Sequence, residues 1–197
     1  VTIPDSVTKI GDSAFYGCSN LTTITIGKGL NTITVGNGLG DSFGRTKLTT
    51  ITVDSENATY KSAGNALLNK DGTKLILGTA STVIPNTVTT LEAYTFAYCT
   101  SLETVSLPEA LAVVPEGLFY DCTLLNKVNF PESLVSISSY AFMNTALKEA
   151  ILPDGITYIG DRAFYQTPSL EKLHLPESLI YVASQAFVTW SEVVRVD

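Results

Sequence analysis

With 197 residues, 45% of them hydrophobic and only 16% charged, the chain can bury a core and does not have the composition of a disordered segment. A formal net charge of −7 and a pI near 4.7 argue against nucleic acid and anionic membranes as partners, and no apolar run approaches the roughly 18 residues of a membrane span. Three cysteines are too few and too regularly placed for a disulfide scaffold, and no leader opens the chain; Val1 falls inside a repeat, so a targeting segment is expected upstream.

The first unit, "IPDSVTKIGDSAFYGCSNL" from Ile3 to Leu21, returns as "LPDGITYIGDRAFYQTPSL" from Leu152. The interval from proline to phenylalanine is eleven residues in Pro4/Phe15, Pro85/Phe96, Pro108/Phe119, Pro131/Phe142, Pro153/Phe164 and Pro176/Phe187. Such a period is the mark of stacked repeats, since a unit of about 23 residues cannot bury its own apolar face. Within a unit, "LEKLHL" (Leu170 to Leu175) alternates as a short strand should, and the proline, lacking an N–H, turns the chain at a corner. "GDSAF" and "GDRAF" put an aspartate ahead of a short apolar run, which predicts one helical or 3₁₀ turn. Consecutive coils then align their strands in parallel as one sheet along one side of a solenoid.

The second unit has Gly27 in place of proline but keeps Leu30 and Ile33 in their columns; its Phe43 arrives five residues late, after "VGNGLGD". The third unit starts with Leu48, Ile51 and Val53 and then departs, over residues 54–81. There "ALLNKDGTKLIL" predicts two strands around Asp71-Gly72, a hairpin replacing the outer part of one coil and dispensable to the solenoid's register. From Pro85 the prolines step by 23, 23, 22 and 23 residues.

"IPDSVTKIGDSAFYGCSNL", "LPESLIYVASQAF" and the "ATYKSAGNALLNKDGTKLI" insertion resemble the BspA-like leucine-rich repeats of bacterial surface proteins, over essentially the whole chain. The departures are Gly27, the late Phe43, and Thr79 and Thr82 in apolar strand columns. The resemblance implies an α/β fold: a right-handed leucine-rich-repeat solenoid with a parallel concave sheet, short helical or 3₁₀ turns outside, and one β-hairpin insertion. It implies a single domain, 1–197, of about eight units of 22–23 residues, as part of a longer protein. It further implies export to the cell surface, a binding or adhesion role (some members attach to host matrix proteins), and no catalytic residues or cofactor.

The outward strand positions are Thr23, Thr25, Thr50, Thr52, Thr104 and Ser106 in the first half, then Lys127, Asn129, Glu149, Ile151, Lys172 and His174. Threonine's strand propensity with Lys–Glu–Lys cross-strand pairing explains this pattern, and so does a contact surface; the two are compatible. Tyr158 and Tyr181 share a column and should stack, as half-buried strand residues or as an interface hot spot. Cys18, Cys99 and Cys122 share a column with Thr46, Thr145, Thr167 and Trp190; it reads as small buried residues, slow to react, with a Cys99–Cys122 bridge as the alternative. No cysteine pair has zinc-ligand spacing, and "GNGLG" (Gly36 to Gly40) lacks the dinucleotide spacing. "LPDG" (Leu152 to Gly155) is ordinary repeat. His174 is the single histidine and stands outward, without a nucleophile and oxyanion hole around it; Asp5, Glu109, Glu132, Asp154 and Glu177 are corner residues. Asn20 and Asn57 fit the glycosylation pattern by accident. The reading is a non-enzymatic module that binds protein, such as host matrix or another surface protein, through its concave face; the alternative is a structural spacer without a ligand.

Overall fold

The computed structural model describes residues 1–34 and 42–188, and the backbone of a strand at 195–196; the "GNGLG" loop and Trp190 lie outside these residues. Each coil contributes one short strand before its corner and one after it. In chain order these begin β1 (Thr2–Ile3), β2 (Lys9–Ile10), β3 (Thr23–Ile26), β4 (Thr32–Ile33) and β5 (Thr50–Val53). The irregular third coil adds β6 (Tyr60–Ala63), β7 (Ala66–Asn69) and β8 (Lys74–Leu77), and β9 (Thr90–Leu91) follows. Regular pairs resume with β10 (Thr104–Ser106), β11 (Val113–Val114), β12 (Lys127–Asn129) and β13 (Ser136–Ile137). They continue as β14 (Glu149–Ile151), β15 (Tyr158–Ile159), β16 (Lys172–His174), β17 (Tyr181–Val182) and β18 (Arg195–Val196).

Strands that precede the corner form a first parallel ladder, β1-β3-β5, β10-β12 and β14-β16-β18. Those after it form a second, β2-β4 and β11-β13-β15-β17. The register follows the repeat: Val105 faces Val128, whereas Ser136 faces Tyr158 across the unit that is one residue short. Inward positions are buried column by column, including Ile24, Leu111, Leu134, Ile156 and Leu170. The phenylalanines stack through the stack's interior: Phe96, Phe119, Phe142, Phe164 and Phe187 follow at centroid spacings of 5.4, 5.4, 5.0 and 5.2 Å.

The outer turns are not helical; no helix occurs among the described residues. Two columns on either side of the phenylalanine have positive φ, which interrupts any helical run. Ahead of it stand Ser13, Tyr94, Gly117, Tyr140, Arg162 and Gln185, and behind it Gly17, Arg45, Tyr98, Asp121, Asn144 and Gln166. The intervening N–H groups therefore point along the stack. Phe96 N–H donates to Leu118 O at 3.0 Å, Phe119 to Ala141 O at 2.8 Å, Phe142 to Ala163 O at 2.7 Å and Phe164 to Ala186 O at 2.7 Å. The turn side is thus a third inter-coil hydrogen-bond ladder, built from β-turns.

The insertion is also more than a hairpin. β7 and β8 flank the Asp71-Gly72 turn as predicted, but β6 adds a third antiparallel strand and β8 pairs in parallel with β9. Positive φ at both Gly64 and Asn65 makes the β6–β7 connection a two-residue turn whose twist suits a hairpin. Ala66, Leu67 and Leu68 are completely buried, because both faces of β7 are covered. Leu67 packs with Tyr60, Ile76 and the N-terminal coils, whereas Ala66, Leu68 and Leu75 join the core of the later coils. Asn57, completely buried, ties this meander to the second coil by donating to Gly27 O (3.0 Å) and Leu30 O (2.9 Å), so its glycosylation pattern is inaccessible in the fold. The expectation of a dispensable appendage is corrected: the meander is a plate between two cores.

Phe142, stacked on both neighbouring rings, should cost about 3–5 kcal/mol on replacement by alanine. Urea denaturation checks this, and a loss below about 1 kcal/mol would contradict the stacked core. Leu67→Ala and Leu68→Ala should each cost about 2–5 kcal/mol, one loosening each core. Deleting residues 60–77 should abolish cooperative unfolding followed by circular dichroism, whereas a merely decorative hairpin would leave it intact.

Candidate interaction surface

Because side chains alternate along a strand, each strand of the first ladder sets exposed residues around a buried one. In β10, β12, β14 and β16 the flanking residues are exposed and the central Val105, Val128, Ala150 and Leu173 buried. Thr23 faces Thr50 and Thr25 faces Thr52; Thr23 and Thr52 are exposed, and Thr25 and Thr50 are half-buried. Thr104 faces Lys127, and Ser106 faces Asn129, whose Nδ2 donates to Ser106 Oγ at 3.0 Å. Glu149 faces Lys172, and Ile151 faces His174. Among the described residues no ion pair joins Glu149 to either lysine, so the Lys–Glu–Lys pairing is not formed; β12 and β14 belong to separate sheets. Exposed Ile151 with Lys172, Leu173 and His174 lines a shallow hollow, and a second hollow below it shares Ile151 and His174 with Phe130 and Glu132.

Tyr158 and Tyr181 stand apart from this row, on the second ladder. Their rings stack at 5.4 Å and 11°, and both are exposed, at 40% and 54%, so the half-buried expectation is corrected. Val113 and Val135 in earlier coils and Ile180 next to Tyr181 are also exposed.

On the turn side lies an aromatic cluster, formed by residues outside the repeat's apolar columns. Tyr98 meets Tyr120 edge-on at 5.5 Å and Tyr16 at 6.0 Å, and Arg45 lies over the Tyr16 and Tyr98 rings at 5.8 and 5.5 Å. Burial pushes the Tyr98 hydroxyl up to about 12, and the Tyr94 hydroxyl, which also donates to Glu116 Oε1 at 2.8 Å, higher still. These hydroxyls are neutral donors, not general bases. The signal was present in the tyrosines of "AFYGC", "TFAYC" and "LFYDC", which follow the column phenylalanine by one or two residues.

The cysteine column divides. Cys122 is buried and donates to Phe96 O at 3.0 Å, and burial raises its thiol well above the ordinary range. In the same column Thr46, Thr145 and Thr167 donate to the carbonyls of Phe43, Phe142 and Phe164 at 2.8, 3.0 and 2.8 Å. Cys99 is half-buried, and Cys18, in the first coil, is exposed, which corrects the expectation of three slow thiols. Cys99 and Cys122 carry no disulfide bridge. Among the described residues no three His, Cys, Asp or Glu side chains gather as a metal site, and no helix is long and apolar enough to cross a membrane.

Comparison with known proteins agrees with this architecture. A family model described as the BspA type leucine rich repeat region matches in six copies, over residues 1–68 and 78–193. The crystal structure of the pneumococcal vaccine antigen PcpA is similar over 90% of this chain and 50% of that one, at 25% identity and a TM-score of 0.70. A leucine-rich repeat protein from Eubacterium ventriosum is similar over 95% and 63%, at 24% identity and a TM-score of 0.56. A leucine rich cell surface protein from Faecalibacterium prausnitzii is similar over 87% and 46%, at 24% identity and a TM-score of 0.55. The chain thus spans about half the length of the first and third of these structures. No curated protein matches the chain significantly. The repeat match covers most of its length, and the chain belongs to the BspA-type leucine-rich repeat family.

Proposed function

We propose that this chain is one domain, a non-enzymatic protein-binding module of a bacterial surface or secreted protein, and that it binds through the exposed face of the first ladder. The observation that carries this reading is the row of solvent-facing side chains held on a backbone whose alternate residues are buried. Lys127, Glu149, Ile151, Lys172 and His174 project from strands anchored by Val128, Ala150 and Leu173. Such a face loses little conformational freedom when it meets a partner. Exposed Ile151 between Lys172 and His174 offers an apolar contact rimmed by donors, which suits a protein surface carrying acidic and apolar groups. The threonine half, Thr23 to Thr52, contributes shape and hydroxyls. The bacterial surface proteins among the structural neighbours support an extracellular setting, and a net charge of −7 makes association with an acidic patch slow and salt-dependent.

Lys127→Glu combined with Lys172→Glu should weaken binding to an immobilised host matrix or bacterial surface protein by about tenfold or more. Stability should change by less than about 0.5 kcal/mol, because both lysines are exposed. Surface plasmon resonance with parallel urea denaturation reads both. A partner bound equally well by the double variant removes this face, and failure of the parent to bind across a panel of such proteins supports the spacer reading instead.

A further inference from the structure

The irregular third coil lacks its outer corner. Leu75 faces Leu91 in the register of β8 and β9. From Leu91 the regular coil takes eleven residues to reach the column residue Leu102, whereas from Leu75 the third coil reaches its equivalent, Thr79, in four. The omitted segment is the one that carries the phenylalanine elsewhere. Its absence leaves the ring stack in two parts, Phe15–Phe43 and Phe96 onward.

Gly78 fills part of the gap: it lies so close under Phe96 that a Cβ would stand 2.1 Å from the ring. Beside it a cavity of about 300 Å³ remains, with Phe43, Leu48, Leu77, Ala97 and Tyr98 among its walls. All five of these residues are buried, so the cavity is apolar at its base. Among the described residues, exposed Lys47 is the one charged side chain on the lining, and no carboxylate shares it. Threonine and serine hydroxyls, including those of Thr49 and Thr100, edge the opening. Tyr16 from the first coil reaches Tyr98 across this gap, with Arg45 over both rings, so an aromatic clasp closes the turn side.

We propose that this cleft binds a small aromatic carboxylate, its ring in the space vacated by the missing corner and its carboxylate paired with Lys47. A cavity of this size, apolar with a few placed polar groups, has the character of a small-molecule site. The repeat itself fills the corresponding space of other coils with an aromatic ring. Lys47, the one cation among the described lining residues, selects an anionic group, against a net charge that would otherwise disfavour one. The cleft lies off the exposed face of the first ladder, so it stands or falls separately from the protein-binding reading.

Cys99 lines the same cavity and serves as its reporter. In the full chain with Cys18→Ser, Cys99 is the reachable thiol, since Cys122 is completely buried. With 3-phenylpropionate as the probe, at about five times its dissociation constant, alkylation of Cys99 by iodoacetamide should slow about sixfold. Amide shifts in a two-dimensional NMR spectrum should concentrate at residues 43–49, 77–80 and 97–101. Lys47→Gln should raise the dissociation constant about tenfold while leaving the melting temperature unchanged. Unaltered alkylation together with unshifted amides overturns the proposal, as does protection by neutral 3-phenylpropanol as strong as that by the acid. Shifts confined to the first ladder overturn it too, by placing the ligand elsewhere.

Discussion

A coil of about 23 residues presents unpaired N–H and C=O groups to its neighbours on both its strand side and its turn side, and a neighbour must satisfy both. In a sheet this requirement is familiar; on the turn side it decides the conformation. Positive φ at residues such as Tyr94 and Tyr98 costs on the order of 1 kcal/mol each, yet it aims the Phe96 amide at Leu118 O in the next coil. That bond lies over a completely buried ring, where an unmet amide would cost more. Turn geometry, ring stacking and strand register therefore depend on one another, and none can change in one coil alone.

The third coil obeys the same constraint by another route. Having lost its outer corner, it offers the later coils β8, which pairs with β9, and Gly78, whose amide donates to Thr95 O at 2.9 Å. The meander that supplies β8 is a sheet with two buried faces, and Leu67 and Leu68 send neighbouring side chains into different cores. Thr79 and Thr82, which stand in apolar columns, both donate to Asn65 O, at 3.2 and 3.0 Å, and so cap the hairpin turn. Repair is incomplete at the outer edge, where a cavity persists with Phe43, Gly78 and Tyr98 on its lining.

Most of the solenoid was legible because its information is periodic. Columns such as Val88, Leu111, Leu134 and Ile156 name the core residue by residue, and all four are buried. The Asp71-Gly72 turn announced β7 and β8 through ordinary turn chemistry. What escaped has a physical reason in each case. A run such as "GDSAF" fits a helical turn by composition, but most of the left-handed residues that prevent it are tyrosine, serine, arginine and glutamine, which carry no such signal, and only Gly17, Gly117, Asp121 and Asn144 do. β6 reads as polar, "YKSA", because its partner strand carries the apolar burden. Cys18 and Cys122 share a column yet differ in exposure, since the first coil has less of the stack around it. The candidate surface was legible as alternation along strands; its split into two ladders, with Tyr158 and Tyr181 on the second, needed the corner between them.

Amide hydrogen exchange tests the inter-coil turn ladder most directly. If the turn side is hydrogen-bonded from coil to coil, the amides of Phe96, Phe119, Phe142 and Phe164 should exchange as slowly as the strand-side amides of Leu107 and Leu152, which donate to Asn129 O and His174 O, all opening with the whole stack. Exchange of the four phenylalanine amides on the timescale of exposed turns, with the strand amides still protected, would contradict the account.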